Sequence, residues 1–238
     1  MQEREQVTGS GFSRLIGFWT EERSLTLMLL LMVLHLFILA PGGRFLGYAF
    51  NLMGSFLLSL ALLAGVLTLV RQRALRGLGT VMVAGTVVFK SVALIREAPW
   101  VIIGDTLFTL LSLPALLYVV YQQVSREGPV SAHRIRGAVA LYLLIAMLFA
   151  FLYGFVEALA PGAFNLSNSS AGGQTARGEA FYYFSIVTLT TVGFGDITAV
   201  HPLGRSLVMI EALIGQLYPA ILIARLVSLE LETRRGKK

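Results

Sequence analysis

Thr190-Thr191-Val192-Gly193-Phe194-Gly195-Asp196 closes a short apolar and aromatic stretch, 178–190. That stretch is too brief to cross a bilayer, which takes about 20 apolar residues, and it reads as a re-entrant helix. Irregular backbone at membrane depth is tolerated only where it is buried in protein or lines water. Gly193 and Gly195, at alternating positions, adopt φ > 0 without a Cβ penalty. Alternating such residues with ordinary L-residues turns successive carbonyls to one side. A column of carbonyl oxygens then replaces the hydration shell of a bare cation, with the Thr191 hydroxyl as the innermost oxygen. Val192 and Phe194 are expected to point away from the column and pack on Tyr182, Tyr183 and Phe184 of the re-entrant helix. That helix runs inward, so its negative dipole end favours a cation.

Working outward, the loop lies between two spans, 137–158 and 203–229, and four more precede them: 24–40, 45–70, 77–95 and 100–121. The fold class is therefore an all-α membrane protein with six transmembrane helices. The domain organisation is 1–23, a cytoplasmic segment with interfacial-helix spacing at Phe12, Leu15, Ile16, Phe18 and Trp19; 24–121, a four-helix unit; 122–136, a polar linker; 137–229, a pore unit; and 230–238, a basic tail. The first 23 residues do not resemble a cleaved signal peptide. With an inside N-terminus, fourteen Lys and Arg fall on inner segments and four (Arg44, Arg96, Arg177, Arg205) on outer ones. That bias places both termini in the cytoplasm of a plasma, or inner, membrane.

Composition agrees. Of 238 residues, 56% are hydrophobic and 13% charged, and mean hydropathy is +0.76. A soluble domain carries about 25% charged residues, so a soluble enzyme, a disordered tail and a fibrous protein are excluded. The net charge of +6 is explained by basic residues at membrane faces rather than by nucleic acid. With no cysteine, disulfides, thiolate metal sites and cysteine nucleophiles are excluded. An enzyme is disfavoured, because no nucleophile–base pair, HExxH or phosphate loop is present. The halves show no repeat of the kind that builds inverted-repeat transporters. Sequons at Asn165 and Asn168 lie in a Ser- and Asn-rich loop where such triplets arise by chance.

The stretch 184–196, FSIVTLTTVGFGD, resembles the pore signature of tetrameric potassium channels, TVGYGD with Phe in place of Tyr. The resemblance implies a six-span, voltage-gated-channel-like architecture in which Thr191, Val192, Gly193 and Phe194 coordinate K+ and Thr190, Gly195 and Asp196 support them. It implies K+ as permeant ion and no further cofactor. One loop per chain requires four chains, so the partners are copies of itself and membrane lipids, with no nucleic acid. Gly204-Arg205 and Gly215 stand at the family's usual distances, Gly215 being the hinge glycine of the inner helix. Glu157 takes the place of an acid behind the outer mouth. Some members pair a pore-helix Glu with the filter aspartate; that position is Val187 here, so such a pair cannot form. The fourth span, DTLFTLLSLPALLYVVY, has no basic residue and so lacks a conventional voltage sensor.

Further residues follow from helix geometry. Pro219, four residues after Gly215, favours a kinked gate. Gln216 is expected to face the water cavity, with Ile223, Leu226 and Val227 as a hydrophobic constriction below it. Glu211 is expected to hydrogen-bond Thr188 or Thr190. In the four-helix unit, loop-centre arithmetic sets His35, Asn51, Lys90 and Asp105 at one depth, about 11 Å below the outer loops. A Lys90–Asp105 ion pair is expected there, with His35 able to respond to external acid near its unperturbed pKa of ~6.5. The function read from these residues is passive, potassium-selective conduction. The alternatives are a weakly selective cation channel, or a regulatory subunit whose four-helix domain senses a ligand, lipid or pH.

Overall fold

The computed structural model describes residues 26–39, 59, 73–93, 99–125, 132–166 and 173–235. Asn51, the interfacial segment 1–23 and most of the second span lie outside them. Helix α1 covers residues 26–34 and continues as a π-turn, His35–Leu39; α2 is Arg73–Ala93, α3 is Pro99–Ser125 and α4 is Ala132–Leu159. Then come β1, Phe164–Asn165; α5, Gly173–Leu189; β2, Thr198–Ala199; and α6, Pro202–Arg235. Among the described residues two helical segments, Arg134–Leu159 and Pro202–Leu229, are long and apolar enough to cross a membrane.

Helix α4 is the wall of the molecule, and its sequence explains why. Apolar residues occur on every side of it, so both faces can be buried. Ala140, Leu141, Leu144 and Met147 pack with Met28, Met32 and Leu36 of α1, Val83 of α2 and Leu113, Leu116 and Val120 of α3. Ile145, Phe149, Tyr153 and Val156 turn to the other side, against Phe181, Phe184 and Leu189 of α5. Helices α2 and α3 interlock through reciprocal glycine–phenylalanine contacts. A Cβ at Gly85 would lie 2.5 Å from Phe108, and one at Gly104 closer still to Phe89. The Phe89 and Phe108 rings meet at 5.5 Å. The same antiparallel register sets position 90 level with 103, so the backbones of Lys90 and Asp105 lie within about 3 Å of one depth; their side chains fall outside the described set.

The boundaries differ from the sequence expectation in three places. The polar linker 122–136 is largely helical: Gln122–Ser125 complete α3, and Ala132–Arg136 open α4. Helix α5, expected as re-entrant over 178–190, begins at Gly173, five residues before the expected start, and ends at Leu189. The last helix runs to Arg235, through residues expected in a basic tail. The reason is shared. Helix ends that emerge from an apolar layer into water can be polar without ending the helix, and Gln, Ala, Arg and Glu propagate helix well. Arginines close the α3 end. Arg134 Nη2 donates to the Val124 carbonyl at 3.2 Å, and Arg225 Nη1 and Nη2 donate to Ser125 Oγ at 3.2 Å and its carbonyl at 2.5 Å. Cationic donors at a helix C-terminus satisfy its orphan carbonyls and meet its negative dipole end.

Candidate functional site: the loop Thr190–Asp196

The loop leaves the C-terminal end of α5, where four carbonyls have no partner within the helix. Each finds a donor. The Ile186 carbonyl accepts from Thr190 N at 2.9 Å and Thr190 Oγ1 at 2.7 Å. That of Val187 accepts from Val192 N at 3.0 Å and Gly193 N at 3.3 Å, and that of Thr188 from Thr191 N at 2.9 Å. The Leu189 carbonyl accepts from the Tyr142 hydroxyl of α4 at 2.9 Å.

Backbone φ is positive at Thr191 (59°), Gly193 (58°) and Gly195 (77°). Every second residue is therefore left-handed, the condition that turns successive carbonyls to one side. The glycines were legible for this; Thr191 was not, since a β-branched residue at positive φ is an outlier. Such strain costs about 1–3 kcal/mol and persists only where the surroundings fix it. Nothing would touch a Cβ at Gly193 or Gly195, so φ, not space, requires glycine there.

Val192 and Phe194, expected to pack on α5, are 55% and 69% exposed. Tyr182 instead meets the His35 ring edge-on at 5.6 Å and the Phe151 ring at 5.9 Å. His35, expected in the polar layer, is thus buried against α5. Tyr183 hydrogen-bonds Asp196, so the aspartate has a partner on α5 one turn before Val187. The carboxylate of Glu157 accepts from Gly162 N at 3.0 Å and Phe164 N at 3.2 Å, closing the turn after α4. That turn delivers β1 to β2 in antiparallel register, Phe164 opposite Ala199. Arg205 Nε donates to the Ala199 carbonyl at 3.1 Å, and Gly204 fits against Phe164. The two ends of the 159–202 segment are joined in this way.

Glu211 corrects another expectation. It is fully buried and meets the Ser185 hydroxyl of α5 and the Tyr153 hydroxyl of α4, not Thr188 or Thr190. Ser185 Oγ also lies 2.6 Å from the Ala146 carbonyl. One turn further, a Cβ at Gly215 would lie 2.7 Å from the Leu189 carbonyl carbon and closer still to its oxygen. The two contacts, 185 with 211 and 189 with 215, are rungs about 6 Å apart between parallel helices. Pro219 lies inside a continuous α6, where it withholds the N–H that the Gly215 carbonyl would otherwise receive. Gln216, Ile223 and Val227 are exposed, and Leu226 is half-buried.

Residues 138–231 match the family Ion_trans_2, described as ion channel. The chain is 39% identical over 80 residues to Protein LctB of Geobacillus stearothermophilus, covering 33% of this chain and 59% of that protein. It is 33% identical over 87 residues to Protein LctB of Bacillus caldotenax, covering 36% of this chain and 64% of that protein. The chain thus spans less than two thirds of the length of these curated relatives. No solved structure matches. The match lies over less than half of the chain and takes in both membrane-length helices, so this part of the chain is similar to ion channels.

Proposed function

We propose that the chain is one subunit of a homotetrameric, potassium-selective channel that conducts passively, with both termini cytoplasmic. Six spans are α1, the segment 45–70, α2, α3, α4 and α6, with α5 re-entrant. The observation that carries this reading is the alternation of positive φ at Thr191, Gly193 and Gly195 at the foot of α5. Thr191, Val192, Gly193 and Phe194 then supply oxygens that replace the ion's hydration shell, and ions advance by knock-on. Gln216 faces the cavity, and Ile223, Leu226 and Val227 close it from below. Four copies are needed because one chain offers one loop. Two exposures fit such an assembly: the side chains of the loop, and an α6 whose apolar window is only 11% buried. A groove of about 600 Å³ beside the loop, reached from Thr191, Gly195, Val208 and Met209, is room for the neighbouring copy.

The test is ion flux from purified protein in liposomes, with reversal potentials under K+ and Na+. Potassium-selective flux is expected, and Gly193→Ala or Gly195→Ala is expected to abolish selectivity while leaving membrane insertion intact, because L-residues resist φ > 0. Selectivity unchanged in either variant would overturn the loop's role. Flux without K+ preference would identify a weakly selective cation pore, and silence of the pure protein a regulatory subunit.

Voltage dependence is expected to be shallow. Moving one elementary charge through 100 mV is worth about 2.3 kcal/mol, so steep gating needs several. From Thr106 to Tyr121, α3 carries no charged residue at all. An activation curve equivalent to several charges per tetramer would contradict this and turn attention to Lys90 or to the loop 191–194 itself.

A further inference from the structure

We propose that Tyr142 is a positioning residue for the conduction loop: its hydroxyl pins the Leu189–Thr190 peptide and so holds Thr191 in its left-handed conformation. The proposal rests on the channel reading and goes beyond it in naming an outer-helix residue that touches no ion.

Helix α5 ends in four carbonyls that no residue within the helix serves. Those of Ile186, Val187 and Thr188 receive donors from the loop itself, between Thr190 and Gly193. The loop cannot serve Leu189, whose carbonyl belongs to the first peptide unit outside the helix. That oxygen takes the Tyr142 hydroxyl at 2.9 Å and lies against the bare Cα of Gly215. It is held on two sides, by a directional bond and by a steric stop. The next residue but one is Thr191, whose φ of 59° is strained for a β-branched side chain. Strain of that kind persists only if the peptides on both sides cannot rotate to release it. Downstream, Val192 N and Gly193 N are tied back to Val187. Upstream, Thr191 N is tied to the Thr188 carbonyl, and the peptide before that one is tied by Tyr142.

Tyr142 is itself held. Its ring stacks on Tyr218 of α6, with centroids 5.6 Å apart and planes 29° apart, and the Tyr218 hydroxyl donates to the Ala138 carbonyl at 2.8 Å. The pair provides its own control. Tyr142→Phe and Tyr218→Phe each delete one hydroxyl and keep the stack, yet only the first removes a bond to the loop.

The experiment compares wild type, Tyr142→Phe and Tyr218→Phe as purified assemblies. One readout is the K+ concentration that half-maximally raises thermal stability over Na+, which requires no open gate. The other is the K+/Na+ permeability ratio from reversal potentials in liposomes. Leaving a buried carbonyl unpaired costs about 1–3 kcal/mol, and 1.4 kcal/mol is tenfold in an equilibrium. Tyr142→Phe is therefore expected to raise the K+ midpoint about tenfold and lower the permeability ratio by a similar factor. Tyr218→Phe is expected to stay within about twofold of wild type on both. A wild-type midpoint and ratio in Tyr142→Phe would overturn the proposal, and so would equal losses in the two variants. Failure of Tyr142→Phe to assemble in either K+ or Na+ would also overturn it, in favour of a packing role. A wild type that shows neither K+ stabilisation nor flux would sink the channel reading and the proposal with it, a failure told apart because it appears before any substitution.

Discussion

Gly215→Ala is expected to destabilise the assembled protein by about 3 kcal/mol, the upper end of the usual overpacking range. The sign of the effect separates two duties for this glycine. A hinge glycine is a weak point in its own helix, and alanine there should add about 1 kcal/mol of helix propensity while stiffening the gate. A packing glycine behaves oppositely. The added Cβ would stand 2.7 Å from the Leu189 carbonyl carbon, and the oxygen it meets is backbone, already fixed by Tyr142. No side chain can step aside to make room. Gly154→Ala is the control, since its nearest new neighbour is Phe181 at an ordinary 3.8 Å, and it should be neutral or slightly stabilising. Thermal unfolding in detergent, with K+ and detergent fixed, reads both. A Gly215→Ala protein as stable as wild type would return the residue to a pure hinge role.

The same glycine marks what the sequence could reveal. The resemblance to potassium channels marks it, at the family's usual distance from Gly193, and its place mid-helix with Pro219 four residues on implies bending. What Gly215 touches depends on how α6 lies on α5, which no local pattern encodes. The loop was legible for the opposite reason, because φ > 0 leaves a direct trace in residue choice at Gly193 and Gly195. Thr191 escaped that logic, though extending the two-residue period backward from Gly193 lands on it. Polarity misplaced the helix ends at Gln122–Ser125, Ala132–Arg136 and Gly173–Arg177, where polar residues continue helices beyond the apolar layer. The Phe164–Ala199 pairing and the Tyr183–Asp196 bond join residues more than ten positions apart and carry no periodic signal. His35 was flagged as polar at membrane depth, but its aromatic neighbour on α5 comes from the packing of α1 across α4.

Glu211→Leu is expected to cost about 2–3 kcal/mol, and the partners of Glu211 say where the loss falls. Glu211, Tyr153 and Ser185 are all fully buried, and they come from α6, α4 and α5 respectively. Leucine would leave Ser185 its second acceptor, the Ala146 carbonyl at 2.6 Å, but it would strand the Tyr153 hydroxyl in an aromatic cluster of Phe149, Phe164, Phe181 and Phe184. A buried polar group without a partner costs about 1–3 kcal/mol, whereas replacing both partners by apolar groups of similar shape is often nearly neutral. Two consequences distinguish a hydrogen-bonded junction from mere space filling. The double change Glu211→Leu with Tyr153→Phe should recover most of the loss, giving a coupling energy of about 1–2 kcal/mol in a double-mutant cycle. Glu211→Gln should stay within about 1 kcal/mol of wild type, because its carbonyl oxygen accepts from Tyr153 while its amide donates to Ser185, which then donates to Ala146. Thermal unfolding of the five proteins (wild type, Glu211→Leu, Tyr153→Phe, the double change and Glu211→Gln) under one condition decides the matter. If Glu211→Leu were as stable as Glu211→Gln, the carboxyl would be incidental to the junction. The 185–211 rung between α5 and α6 would then rest on apolar packing alone, leaving Gly215 against Leu189 as the contact that sets the register of α6 on α5.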